Sequence, residues 1–374
     1  MKKKIIFLYP YYWPHYQAGG PVQSLYNLTG ILKDEVDLFF LSKATDCDGS
    51  PIKDLPINKW VEGSQGEHIL YKKHITPASI FKLLKNEKPD AVFINGIFNA
   101  STTLPGIFFA RLLGIKIFFS PRGMLQAWGL ARRKQAKRLY LLLIRWMLPK
   151  SAEWHATDEK EAQDIGKIFG TQRAIHIASN VPRKVAPYQP LSWVSRNEKI
   201  KLVFLSLINP NKNLHELIDA VTSFSDTFTL NIWGPVADET YWQTCLGKMN
   251  RAKNITYQGA VPPWQVQELL GQYHFFVLPT QGENFGHAIF DALSSSVPVI
   301  ISKNTPWAAV EEKGAGFYLN IGDQLPDQLK QLFHRVQELT DSEYDQFRKS
   351  AHVYAAQYED STDFLNQYRF MLEQ

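Results

Sequence analysis

Short apolar runs bounded by glycine, proline or polar residues alternate along the chain with longer stretches whose apolar positions recur at helical spacing. In the first half the runs at 5–9, 36–41, 91–94, 116–120, 153–157 and 175–178 predict strands, with a helix over 22–32 between the first two. A second series follows at 201–205, 228–233, 255–257, 275–278 and 297–301. Strands alternating with helices predict parallel sheets covered on both faces. Pro182, Pro187 and Pro190 mark 181–197 as a linker, and 363–372 reads as a closing helix. The expected fold is α/β: two facing, Rossmann-like, doubly wound domains over 1–185 and 186–358, with 359–374 returning to the first.

A chain of 374 residues exceeds one typical core, and 45% hydrophobic with 21% charged residues is ordinary for a globular protein. The only cysteines, Cys47 and Cys245, lie in different halves, which excludes a disulfide framework and fits a reducing cytoplasm. Lys2-Lys3-Lys4 before Ile5-Ile6-Phe7-Leu8 mimics a signal peptide, but Pro10 interrupts the run at once, so a first strand is expected. Charge changes the picture more. Residues 1–185 hold 27 Lys and Arg against 15 Asp and Glu, whereas the remainder holds 14 against 21. A basic first half suits an anionic partner. No nucleic-acid recognition motif accompanies it, so nucleic acid is not expected.

The chemistry concentrates after the strand at 275–278, in Gly282-Glu283-Asn284-Phe285-Gly286-His287. Glycines admit a ligand close to the backbone, and Ala288, Ile289, Ala292 and Leu293 form one helical stripe. Glu283 and Asp291 fall outside that stripe. On a continuous helix they would sit roughly 12 Å apart along the axis and about 80° apart around it, able to hold two hydroxyl-rich ends of one ligand. The N–H groups of Asn284, Phe285 and Gly286 at the helix start would suit an anionic centre. A nucleotide-sugar has this layout; the plainer alternative is that both acids merely cap and solvate a helix.

The stretch resembles the Glu-x7-Glu signature of the retaining family-4 glycosyltransferases of GT-B fold, with Asp291 in place of the second Glu. The segment from Phe204 to Leu214 resembles that family's phosphate loop, which presents Arg-x4-Lys; here the Arg position is Leu207 and the Lys is Lys212. Trp233-Gly234-Pro235, Gln258-Gly259-Ala260-Val261 and Thr305-Pro306-Trp307 also match family patterns, with Gly259 near the base. In the first half, Gly19-Gly20 before Pro21 resembles the glycine loop beside the donor phosphates. Ser120-Pro121-Arg122-Gly123 carries Arg122 where many members place a histidine. Tyr11, Tyr12, Trp13 and Tyr16 form a possible stacking wall, and Asn95, His15, Tyr12 and Lys134 are the expected acceptor contacts.

Five cations, Arg132, Arg133, Lys134, Lys137 and Arg138, precede an apolar stretch on one helix. Two readings stand: a surface for anionic lipid or a lipid-diphosphate acceptor, or a core helix with a solvated basic start. Asp46-Cys47-Asp48 has the D-x-D form of metal-dependent transferases of another fold, and no metal is assigned. The resemblance implies a metal-independent retaining transferase using a UDP- or GDP-sugar and no cofactor. It would work in the cytoplasm, at the inner membrane face, on surface polysaccharide. Glu283, Lys212 and Arg122 are its expected catalytic groups; a nucleotide-sugar epimerase or a non-catalytic sugar-binding subunit are the rivals.

Overall fold

The computed structural model describes residues 2–131, 133–188 and 198–373. Residues 189–197 of the expected linker, and Arg132, lie outside them. The chain forms two compact units, Met1–Val181 with Asp363–Gln374, and Pro182–Thr362.

The first unit holds β1 (Lys3–Leu8), β2 (Val36–Lys43), β3 (Trp60–Glu62), β4 (His68–Lys72), β5 (Ala91–Asn95), β6 (Lys116–Ser120), β7 (Glu153–Ala156) and β8 (Ile175–Ile177). They form one sheet in the order β3-β4-β2-β1-β5-β6-β7-β8, parallel except for the β3–β4 pair. Along β1 the pleat sends Ile5 and Phe7 to one face and Ile6 and Leu8 to the other, and all four are buried. A strand apolar on both faces needs cover on both. Leu25 and Leu28 of helix Gly20–Leu32, with Tyr368 and Met371 of the C-terminal helix Phe364–Glu373, supply one cover. Ile107 of helix Ala100–Leu112 and Ile144 of helix Lys134–Met147 supply the other. Phe7 is stacked between Phe40 and Phe93, with ring centroids 4.9 and 4.7 Å away.

The second unit holds β9 (Ile200–Leu205), β10 (Phe228–Trp233), β11 (Ile255–Gly259), β12 (Phe275–Leu278), β13 (Val299–Ser302) and β14 (Gly316–Leu319). Its sheet is parallel throughout, in the order β11-β10-β9-β12-β13-β14. Strand order therefore reverses between β9 and β12, as it does between β1 and β5 in the first unit. Such a switch point leaves a crevice beyond the carboxyl ends of the two strands, where ligands of open α/β sheets bind.

Three strands escaped the sequence reading. β3 is a half-exposed antiparallel edge, and β4 buries only Ile69, Leu70 and Tyr71 between polar ends. Glycine generally weakens a strand, and β14 opens on Gly316. Here Gly316 adopts φ +152°, and a Cβ there would fall 2.0 Å from the Val299 carbonyl oxygen, so glycine lets β14 lie against β13. Among the described residues no helix is long and apolar enough to cross a membrane.

Candidate functional site

At the switch point of the second unit, the loop after β9 turns through one 3-10 segment, Pro210–Lys212, capped by the Asn209 side chain, which accepts from the Asn211 N–H. The turn carries Lys212 inward, and its ammonium donates to Glu283 Oε1 in the loop after β12. Backbone ties hold the pair. The Asn213 amide donates to the Pro279 carbonyl at 2.8 Å, and the Gln281 N–H donates to the Asn211 carbonyl at 2.7 Å. The Glu283 N–H reaches the Asn304 carbonyl, beyond β13, at 3.3 Å, and the Trp307 indole donates to the Phe285 carbonyl at 2.6 Å. Lys212 is thus a buried, paired cation rather than a solvated one at a helix start.

The helix begins later than expected. It spans His287–Ser294, and Gly286 precedes it in the left-handed region at φ +80°. A Cβ at Gly286 would come within 2.9 Å of Ile289 Cδ1 and 3.5 Å of Glu283 Cγ. Glu283 therefore sits in the loop, and the one-helix spacing between the two acids does not hold. The helix carries no acid in its first turn, and among the described residues the N–H groups of Phe285 and Gly286 meet no acceptor. These are open positions for an anion.

Asp291, expected off the apolar stripe, is buried and forms an ion pair with Arg183 at 3.3 Å. Burial pushes its carboxyl above the usual range, and Arg183 pulls part of that shift back. Arg183 lies in the stretch read as linker. A buried acid demands a cation, but no local pattern says which one answers. Gly259 ends β11 at φ +83°, its carbonyl accepting from the Gly234 N–H at 2.8 Å. Leu207 is half-buried.

In the first unit, Gly19 (φ +75°) and Gly20 follow β1 and open helix Gly20–Leu32, while Asn95 ends β5 on the other side of that switch point. Arg122, after β6, is buried in the left-handed region at φ +55°. Its Nε donates to Asn95 Oδ1 at 2.6 Å and its Nη1 to Asn180 Oδ1 at 2.7 Å, so its nearest acceptors are neutral amides. Glu161, also buried, accepts from the Gly123 N–H at 2.5 Å and from the N–H and hydroxyl of Thr157, and burial raises its carboxyl's pKa. His155 donates from Nε2 to the Ala178 carbonyl at 2.9 Å, leaving Nδ1 to accept from the Ser120 hydroxyl at 2.8 Å. Burial, aided by Arg122, holds this imidazole neutral.

Of the expected aromatic wall, Tyr11, Trp13 and Tyr16 are half-buried, and Tyr12 drops out of it. Tyr12 is a core residue, stacked on Phe40 at 3.8 Å with its hydroxyl donating to Glu67 at 3.0 Å, because strand-face burial outweighs loop exposure. His15 is fully enclosed against the Tyr12 carbonyl, and Asn95 is spent on Arg122. None of these three presents a side chain to an acceptor here, whereas Lys134 is exposed.

The chain is similar in fold to solved glycosyltransferase-fold structures. Anabaena HepE, in complex with UDP and glucose, is 14% identical and superposes with a TM-score of 0.73 over 99% of each chain. Sucrose-phosphate synthase from Thermosynechococcus elongatus is 12% identical, with a TM-score of 0.77 over 100% of this chain and 99% of that one. The fold is GT-B. WaaG, a glycosyltransferase involved in lipopolysaccharide biosynthesis, shares it at 15% identity and a TM-score of 0.67, with 97% of each chain covered. Residues 190–352 match the family described as glycosyl transferases group 1. That match falls within the second unit, Pro182–Thr362. No curated protein sequence matches the chain.

Proposed function

We propose that the protein is a retaining, metal-independent glycosyltransferase that moves a hexose from a nucleoside-diphosphate sugar, UDP or GDP, to a glycan or lipid-linked acceptor in surface polysaccharide assembly. The observation that carries this reading is the Lys212–Glu283 pair at the switch point of the group 1 domain. UDP is favoured because HepE structures hold UDP and UDP-glucose.

Without donor, Lys212 is neutralised by Glu283. A bound diphosphate takes over Lys212 and the Phe285 and Gly286 N–H groups, and Glu283 turns to the sugar hydroxyls. The bond from the anomeric carbon to the β-phosphate oxygen breaks as the acceptor oxygen attacks from the same face. The acceptor's proton passes to the departing phosphate, and the preorganised donors stabilise the growing negative charge. Asp291, shared with Arg183, holds the ribose.

The test is thermal stabilisation by UDP, GDP, ADP and CMP, with EDTA present, in wild type and Lys212→Ala. A ligand at about 100 times its dissociation constant stabilises the folded form by about 2.7 kcal/mol. One nucleoside diphosphate should shift the wild-type melt and not that of Lys212→Ala. No shift with any nucleotide would sink the transferase reading and favour a non-catalytic subunit; donor interconversion without acceptor would favour an epimerase.

A further inference from the structure

Helix Lys134–Met147 buries only one side. Leu141 and Ile144 enter the core, with Lys137 and Tyr140 half-buried beside them. The opposite side carries Leu139, Leu142, Leu143 and Trp146, exposed by 69, 54, 41 and 78%. At 100° per residue these four fall within about a 100° arc. Arg138, Arg145 and Lys134 line one flank of that arc, all exposed. The apolar surface continues next door. Arg111, near the end of helix Ala100–Leu112, donates to the Met147 carbonyl at 3.1 Å, and Phe108 and Leu112 beside it are 53 and 62% exposed.

A core helix would not leave four large apolar side chains in water opposite its buried stripe. The helix start adds a second oddity. Arg133 and Lys134 meet the positive end of the helix dipole, with no acid in the first turn and no capping side chain. An anionic headgroup layer would relieve both. Neither helix can span a bilayer, so the geometry suits one lying in the interface plane, with leucines and the indole among the acyl chains and the cations at the phosphates.

We propose that this face of the first unit docks on an anionic lipid bilayer, through insertion of Leu139, Leu142, Leu143 and Trp146. The charge favours lipid over a second copy of the chain as occupant: an antiparallel two-fold contact over this stripe would bring the like-charged flanks together, and a parallel one would leave each flank without an anionic partner. The inference stands apart from the donor chemistry, so its failure would leave the transferase reading untouched.

The test is co-sedimentation of the full chain with vesicles of phosphatidylcholine alone or with about a third phosphatidylglycerol, alongside nucleotide binding in solution. The wild type should pellet with the anionic vesicles only. Leu142→Glu/Trp146→Glu, both on the exposed side, should lower the partition coefficient by at least about tenfold while keeping the wild-type melt and UDP shift. Arg138→Glu/Arg145→Glu should do the same, and raising salt should weaken the wild type by about tenfold. Equal pelleting of wild type and the Leu142/Trp146 variant would overturn insertion. So would a wild-type dimer, seen by light scattering, that Trp146→Glu converts to monomer.

Discussion

Two buried cations at loop positions behave in opposite ways. Lys212 in the second unit is met by a carboxylate, Glu283, whereas Arg122 in the first is met by the carbonyls of Asn95 and Asn180. Lysine's ammonium is a point charge that can change partners without rearranging its loop. The Arg122 guanidinium is a planar fork whose two engaged nitrogens fix β5 and the segment before Val181 at once. In the proposed donor exchange the first cation is handed to a ligand, whereas the second ties two segments of the first unit together.

The sharpest way to break the contrast is to remove the fork. Arg122→Ala strands two buried amide oxygens and should cost the first unit roughly 3 to 5 kcal/mol, since bonds to charged groups contribute about 1.5–3 kcal/mol each. Arg122→Lys should recover less than half. Urea unfolding followed separately for the two units measures this, and a wild-type midpoint for Arg122→Ala would remove Arg122 as a scaffold element.

Next comes the exchangeable pair. Glu283→Ala should lower donor turnover by about 10²–10³-fold, as loss of a preorganised polar contact to the reacting sugar does. Bare UDP should bind it as tightly as wild type or more so, because Lys212 no longer needs to leave a counterion. Lys212→Ala should lose both. Calorimetric titration with UDP separates them, and weaker UDP binding in Glu283→Ala would count against exchange.

The same contrast explains what the sequence could show. Period and punctuation placed eleven of the fourteen strands among the described residues, because their apolar runs stand between glycine, proline and polar residues; half-exposed β3 and glycine-led β14 carry no such run. Lys212 and Glu283 were legible because they follow strands adjacent at a switch point, where loop residues meet whatever the helices do. The partners were not. Arg183 and Asn180 lie far from Asp291 and Arg122 along the chain, and nothing local distinguishes them from a proline-rich linker. Tyr12 and His15 misled because loop aromatics look available until the packing beneath is known. Helix Lys134–Met147 left two readings open, because a lipid-facing helix and a core helix share one apolar composition.

A smaller effect probes the Arg122 neighbourhood by pH. His155 has its folded pKa well below the usual 6.5, so its contribution is fully present above 6.5 and is lost as pH falls toward the folded value. His15, also lowered by burial, acts in the same direction, while the raised carboxyl of Glu161 acts oppositely, favouring the folded form as pH falls. Between pH 7 and 5 the first unit of His155→Gln should therefore lose less stability than wild type, by about 2 kcal/mol. Identical pH slopes in urea unfolding would show that His155 takes up its proton without cost.

The smallest expected change is at the cation the phosphate loop lacks. Leu207 is half-buried, so Leu207→Arg would place a partly hydrated guanidinium near the loop that carries Lys212. At the effective dielectric of a partly exposed site, one added charge several ångströms from a phosphate contributes on the order of 1 kcal/mol, or about fivefold in UDP affinity. Turnover should change by less than about threefold if, as proposed, Lys212 and the Phe285 and Gly286 N–H groups receive the leaving phosphate. A hundredfold rise in turnover would mean instead that the site is short of positive charge, and that Lys212, tied to Glu283, is not released by the donor.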